Sequence, residues 1–330
     1  MLTINTKMVM KNGWRIAKDR NHTCLRIRVP GGSLPVALLP LIQEIAERFG
    51  DGTVHLTTRQ GFEIPAISFE DMAEINTILS PLIEELEIKL GVEIDEPSQG
   101  YPAAGTRNVV ACIGNKVCSN AVFNTTALAK DIEKIIYPNN PHVKIAVTGC
   151  PNDCIKAHMQ DIGILGQVEP IYDAPRCIGC QACVKNCHKV STGALSFINN
   201  KVKRDTSRCI GCGECVLKCP TAAWTRGGQY FRVVIMGRTG KKNPRLAAGF
   251  LEWAEREVIL TICKNLYNYI DQHIDRSLPK EHVGYIVDRT GYNVFKEEVL
   301  KDVTLGPKTK VANFLDFAGY TYDNHAIFSS

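Results

Sequence analysis

Cys177-Ile-Gly-Cys180-Gln-Ala-Cys183-Val-Lys-Asn-Cys187 and Cys209-Ile-Gly-Cys212-Gly-Glu-Cys215-Val-Leu-Lys-Cys219-Pro220 share one spacing, C-x2-C-x2-C-x3-C, and Cys209 follows Cys177 by 32 residues. Three thiolates on one short loop reach three corners of an iron-sulfur cubane. The fourth ligand must come from elsewhere, and interleaved glycines let backbone amides approach the sulfides. C-x2-C pairs also build tetrahedral zinc sites. Eight cysteines in two matching runs favour clusters over zinc.

The spacing is that of bacterial ferredoxins, in which the fourth cysteine of each run ligates the other cluster. Cluster 1 is then expected on Cys177, Cys180, Cys183 and Cys219, and cluster 2 on Cys209, Cys212, Cys215 and Cys187. His188 stands where proline is usual and reads as a loop substitution.

The chain has 330 residues, 45% hydrophobic, and a formal net charge of +5. That length predicts two or three domains. Lys and Arg are scattered, without the polybasic run that grips nucleic acid. No apolar run reaches the length of a membrane span, and residues 1–12 lack the apolar core of a signal peptide, so a cytoplasmic protein is expected. Twelve of the 14 cysteines lie between Cys112 and Cys219. In such a compartment this clustering points to metal rather than disulfides.

Outward from the cysteines, the pattern becomes regular. In His22-Thr-Cys-Leu-Arg-Ile-Arg-Val29 the apolar Leu25, Ile27 and Val29 alternate with Cys24, Arg26 and Arg28, predicting a strand with one core face and one basic face. Leu34 to Phe49 shows helical spacing and Gly50 stops it. Thr53 to Arg59 reads as a strand presenting His55, Thr57 and Arg59 together, and Asp71 to Leu90 as an amphipathic helix. Glu96-Pro-Ser-Gln-Gly-Tyr-Pro102 holds turn formers and marks a boundary. Beyond it, a helix is predicted over Thr125 to Ile136, strands over Val143 to Val147 and Phe231 to Met236, and a long helix around Gly249 to Asp275. The cysteine-dense stretch is too poor in large apolar residues to fold without metal, so it reads as an insertion within an α/β domain.

A second cysteine set, Cys112-Ile-Gly-Asn-Lys-Val-Cys118 and Gly149-Cys150-Pro-Asn-Asp-Cys154, fits neither a ferredoxin nor a zinc finger. It resembles the signature of sirohaem-containing sulfite and nitrite reductases. Arg26-Ile-Arg-Val-Pro-Gly-Gly32, Leu56-Thr-Thr-Arg-Gln60 and Thr106-Arg-Asn-Val109 resemble blocks of that family in the same order. The resemblance covers most of residues 20–240, and with the inserted cluster pair it is greatest to anaerobic and dissimilatory sulfite reductases.

What the resemblance implies is specific. The fold is α+β, with a ferredoxin-like half-domain at 1–97. A sirohaem and [4Fe-4S] domain occupies 98–168 and 225–330, and a two-cluster ferredoxin insert occupies 169–224. Cys112, Cys118, Cys150 and Cys154 would hold a third [4Fe-4S] cluster, Cys154 bridging to the sirohaem iron. Arg28 and Arg107 match substrate positions, Arg26 supports them, and Lys144 is a third basic candidate, with Ala146 where a second lysine would stand. His55, Arg59, Gln60, Asn120 and Asn152 are candidates for the sirohaem carboxylates, as is the basic stretch Gly237 to Arg245 with Lys241 and Lys242. Sulfite reduction to sulfide is the expected reaction; nitrite reduction to ammonia and a non-catalytic polyferredoxin carrier are the alternatives. No G-x-G-x-x-G follows a strand. Electrons would therefore come from partners, an iron-sulfur subunit and a flavin subunit oxidising NADH. Cys24 and Cys263 lack partners at ligand spacing and read as small buried hydrophobes.

Overall fold

The computed structural model describes residues 13–86, 88–90, 107–137, 139, 141–240, 244–278 and 281–317. The boundary at 96–102, Thr106, Lys241 and Lys242 lie outside these. The chain divides into two compact units. The first comprises Met1–Ala111, Thr126–Ile145 and Leu260–Lys301, and the second Cys112–Thr125, Ala146–Ile259 and Asp302–Ser330.

In the first unit, strands β1 (Trp14–Ile16), β2 (His22–Ile27), β3 (His55–Leu56) and β4 (Phe62–Ser68) form an antiparallel sheet in the order β1-β2-β4-β3. Leu25 stands opposite Ile64 and Ile27 opposite Phe62. Helix α1 (Leu39–Phe49) lays Ile42, Ile45 and Ala46 on the apolar face of this sheet, together with Leu79, Leu82 and Ile83. Four sequence expectations shift here. The basic strand ends at Ile27, so Arg28 leaves the sheet. Only His55 and Leu56 of the expected 53–59 strand are extended, because Thr57 to Gln60 turns back into β4. Pro40 sits in the first turn of α1, which begins at Leu39 rather than Leu34. The expected 71–90 helix divides into α2 (Met72–Ile78) and α3 (Ser80–Leu86), since Pro81 has no amide hydrogen to continue one helix into the other.

The first unit also holds most of helix α4 (Thr125–Ile136). In the second unit, β6 (Ile145–Thr148), β7 (Ile162–Tyr172), β10 (Trp224–Ile235), β11 (Ala248–Ala254) and β12 (Lys310–Val311) follow the sheet order β12-β11-β10-β7-β6, with β5 being Val110–Ala111 of the first unit. The β7 and β10 ladder runs antiparallel from Ile162 opposite Ile235 to Tyr172 opposite Trp224. Everything from 173 to 223 therefore emerges from one end of a hairpin. That segment holds α5 (Ala182–Val190), the hairpin β8 (Leu195–Ile198) and β9 (Lys201–Arg204), and the short α6 (Glu214–Lys218). Asn199 and Asn200, both at positive φ, make the tight β8–β9 turn.

The expected helix from Gly249 is a correction. Residues 248–254 alternate faces as strand β11, paired to β10 and β12, and the helix α7 begins only at Arg256 and ends at His273. Helices α8 (Val283–Thr290) and α9 (Tyr292–Val299) follow in the first unit. Cys263 is fully buried, as expected, with its thiol pushed up to about 12 by burial, whereas Cys24 is only half-buried. Among the described residues no helix is long and apolar enough to cross a membrane.

Candidate functional site

The first unit contains a cavity of about 280 Å³ whose lining includes Arg26, Arg28, His55, Arg59, Arg107 and Asn108. Its floor is the Thr57–Gly61 turn. The Thr57 hydroxyl accepts the amides of Arg59 (3.3 Å) and Gly61 (3.1 Å), and Gln60 takes a left-handed φ of 59°. A Cβ on Gly61 would stand 2.5 Å from the Ile27 carbonyl oxygen, so the turn closes against β2 only with glycine there. Arg59 is thereby aimed inward, and its Nη2 donates to the carbonyls of Asn108 and Ile145. Asn108 reciprocates: its Nδ2 donates to the Arg59 carbonyl at 3.0 Å while its Oδ1 accepts the Val29 amide at 3.1 Å. Gln60 clamps Ala111 through both amide atoms, each at 2.8 Å.

The arginines are held differently. Arg28, 2% exposed, forms an ion pair with the fully buried Glu133 and lies 4.2 Å over the Tyr137 ring. Arg26 pairs with Glu63 at 2.6 Å, the one carboxylate among the described lining residues. Arg107 faces His142, Nη2 to Nδ1 3.2 Å, and burial followed by the charges of Arg26 and Arg15 lowers its affinity for its proton. An anion entering the cavity would relieve that repulsion. Lys144 is half-buried and is not among the lining residues. Sequence reasoning missed Glu133 and Tyr137. The available signal was Glu133 itself, a carboxylate within the apolar stripe Leu128, Ala129, Ile132 and Ile136, which must meet a buried cation.

In the second unit, Cys112, Cys118, Cys150 and Cys154 are near neighbours. Cys150 is buried, Cys112 half-buried and the other two exposed. Burial raises the Cys150 thiol above its usual range, and negative charge on Cys118, Cys154 and Cys112 raises it further. The Gly149 amide donates to the Cys112 sulfur at 3.2 Å. Asp153 shapes the motif: its carboxylate accepts the amides of Ala157 (2.5 Å) and His158 (3.1 Å) and meets the His158 ring at 2.7 Å. Arg226 of β10 pins the other arm by donating to the carbonyls of Ala121 (3.2 Å) and Ser119 (2.5 Å), a role with no local sequence signal. Asn120 is half-buried and Asn152 exposed on these two arms.

The insertion gathers its thiols into two sets. Burial raises Cys183, and Cys219 and Cys180 add to the rise. Burial also raises Cys209, with Cys212 and Cys187 adding, and pushes Cys215 up to about 12, with Cys212, Cys209 and Cys183 adding. Cys177 lies by Tyr172, as does Cys183. Cys187, Cys209, Cys212 and Cys215 together line a narrow cavity. Mutual repulsion of this kind is relieved by a cationic metal core. Around a single zinc ion, sulfurs would stand about 3.8 Å apart. Among the described residues no three His, Cys, Asp or Glu side chains converge on a single-ion site.

The surroundings of the thiols fit a cluster. The Ala223 amide donates to the Cys219 sulfur at 3.2 Å, and the Ser191 hydroxyl meets the Cys212 sulfur at 3.4 Å. Trp224, 3% exposed, packs with Cys183, Cys187 and Cys215, and its Nε1 finds no hydrogen-bond partner among the described residues. It faces the Cys183 thiol and favours its charged form. Such a buried N–H costs free energy unless an electron-rich sulfur receives it.

An arginine-lined anion cavity, a four-thiol motif and a two-run cysteine insert define an iron-sulfur oxidoreductase. Residues 15–82 match the model of the nitrite/sulfite reductase ferredoxin-like half domain, and residues 103–305 that of the nitrite and sulphite reductase 4Fe-4S domain. The chain belongs to the nitrite and sulphite reductase family. It is 44% identical over 310 residues to one subunit of the anaerobic sulfite reductase of Salmonella typhimurium, covering 93% of this chain and 92% of that one. Coenzyme F420-dependent sulfite reductase of Methanocaldococcus jannaschii is 32% identical over 83% of this chain and 42% of its own length. In fold, the chain is similar to dissimilatory sulfite reductase I, with a TM-score of 0.64 over 84% of this chain and 69% of that one at 14% identity.

Proposed function

We propose that the chain is the catalytic subunit of a cytoplasmic sulfite reductase, carrying sirohaem and three [4Fe-4S] clusters and reducing sulfite to hydrogen sulfide with six electrons. The observation that carries this reading is the cavity whose described lining holds four arginines and one carboxylate. It suits a small oxyanion and a carboxylate-rich cofactor together. The near full-length similarity to a sulfite reductase subunit supports it.

Sirohaem, when bound, supplies an iron at which the bonds from sulfur to oxygen are weakened. His55, Arg59, Gln60, Asn120, Asn152 and Cys154 are assigned to hold it, Arg59 through its charge and Gln60 through the turn it locks. Arg107, Arg28 and Lys144 are the catalytic candidates. Arg107, with His142 behind it, binds the oxyanion and polarises a departing oxygen through its guanidinium N–H groups. Arg28, fixed by Glu133 and Tyr137, contributes a positive field that cannot swing away. Cys112, Cys118, Cys150 and Cys154 hold the cluster coupled to the sirohaem. Cys177, Cys180, Cys183 and Cys219 hold ferredoxin cluster 1, and Cys187, Cys209, Cys212 and Cys215 hold cluster 2. The domain limits 1–97, 98–168 with 225–330, and 169–224 follow from these roles. The electrons come from an iron-sulfur subunit and a flavin subunit oxidising NADH.

The test is spectroscopic and chemical. Protein purified without oxygen should absorb as a sirohaem, shift its haem bands on adding sulfite, and yield sulfide with an artificial reductant. Ammonia from nitrite at a higher kcat/KM would move the assignment to nitrite reduction, and zinc without tetrapyrrole would end it. Arg107→Ala should keep the cofactors and lose roughly a hundredfold in sulfite turnover.

A further inference from the structure

Strand β7 touches all three thiol sets, and it touches them in order. At Gly166, a Cβ would meet the Gly149 carbonyl oxygen at 2.5 Å, so the strand lies directly on the Cys150 motif. Val168 donates its amide to the Gly211 carbonyl at 2.9 Å, and the Gln167 side chain donates to the Ile210 carbonyl at 3.0 Å. Those two bonds seat the Cys209–Cys212 loop. At the end of the strand, the Tyr172 hydroxyl accepts the Val202 amide at 3.2 Å and lies against Cys177. With a rise of about 3.3 Å per residue, the second set is offset from the first by roughly 7 Å along the strand, and the third by a further 13 Å or so.

Exposure separates the two sets of the insertion. Gly211 is buried under Trp253, Gln167 and Val168, whereas Cys180 is exposed and Ile178 beside it is 68% exposed. Beside the outer loop the chain carries exposed Arg176, next to Cys177, and Lys218, next to Cys219, with exposed Lys185 on α5, none with an ion-pair partner among the described residues, against Asp173 and Glu214. The open cavity beside Cys209 is also basic, but there Lys308 and Arg204 are both paired to Glu169.

Building on the cluster assignment proposed above, we infer that the Cys177, Cys180, Cys183 and Cys219 set is the electron intake. An acidic protein carrier docks on the basic rim around Ile178. Each encounter oxidises the carrier by one electron and reduces the outer cluster by one; no bond or proton moves. The electron then passes to the Cys187, Cys209, Cys212 and Cys215 set and on to the Cys112–Cys154 set, following β7 inward. Six encounters complete one turnover.

The test measures cluster bleaching in the holoprotein, mixed rapidly with a reduced acidic [2Fe-2S] ferredoxin at several salt concentrations. Arg176→Glu with Lys218→Glu should lower the second-order rate at least tenfold at low salt and flatten its salt dependence. Reduction by dithionite and the iron content should not change. Lys308→Glu with Lys310→Glu, at the inner cavity, should leave the rate as it is. If the inner pair slows transfer and the outer pair does not, the intake is misassigned. If neither pair matters, the carrier does not dock by charge on this rim and the inference fails, while the clusters stand. Absence of any bleaching by dithionite would instead remove the cluster assignment itself.

Discussion

Trp224 and Glu133 show what a single residue decides here. Trp224 keeps a buried indole N–H aimed at a cysteine sulfur, a group that stabilises the extra negative charge of a reduced cluster. Trp224→Phe should therefore lower the midpoint potential of the cluster proposed on Cys177, Cys180, Cys183 and Cys219 by roughly 40–60 mV, the equivalent of one net hydrogen bond. Potentiometry followed by electron paramagnetic resonance reads this directly, and an unchanged midpoint would show that the N–H does not reach the cluster. The cysteines are legible in the sequence because ligand spacing is local. Trp224 is not, since its neighbour Cys183 lies 41 positions earlier and only the ladder between β7 and β10 brings them together. Arg28 stands out through its motif, but its burial against Glu133 needs the helix that supplies the carboxylate.

Among the elements, the strands of the second unit are the least readable. Ile162–Tyr172 is buried over most of its length, so it lacks the alternation that marks a half-exposed strand, and Ala248–Ala254 runs into helical spacing that disguises it as a helix start. The first unit is more legible, because β2 and α1 each have one wet face and one dry face. The loop docked on β7 offers a test at this scale. Gly211 has a φ of +69°, and a Cβ there would meet the Trp253 ring at 2.9 Å and the Val168 carbonyl at 3.1 Å. Gly211→Ala should cost about 1–3 kcal/mol in strain and clash and release about four iron atoms, one cubane's worth. Gly52→Ala is the control, because Gly52 shares the positive φ with nothing within 4 Å. Equal iron in both variants would mean that the loop does not need its seat on β7.

At the scale of the whole molecule, two of the hydrophobic cores among the described residues differ in what fills them. One core of the first unit has thirteen buried apolar residues, all conventional. The core of the insertion has seven, and three of them are Cys183, Cys187 and Cys215. Removing iron with a chelator under reducing conditions should leave the first core intact and loosen the second, because its buried thiols then have neither metal nor solvent. Limited proteolysis should cut first within 173–223; early cutting in the β1–β4 sheet would contradict this. The hairpin from which the insertion emerges carries one more implication. Tyr172 and Trp224 are direct ladder partners, so the segment between them begins and ends at neighbouring points in space. In topology it is an enlarged turn, and the closure entropy of a turn grows only slowly with its length. The insertion is thus a detachable cartridge: its length and sequence can change without altering the register of the strands that carry it.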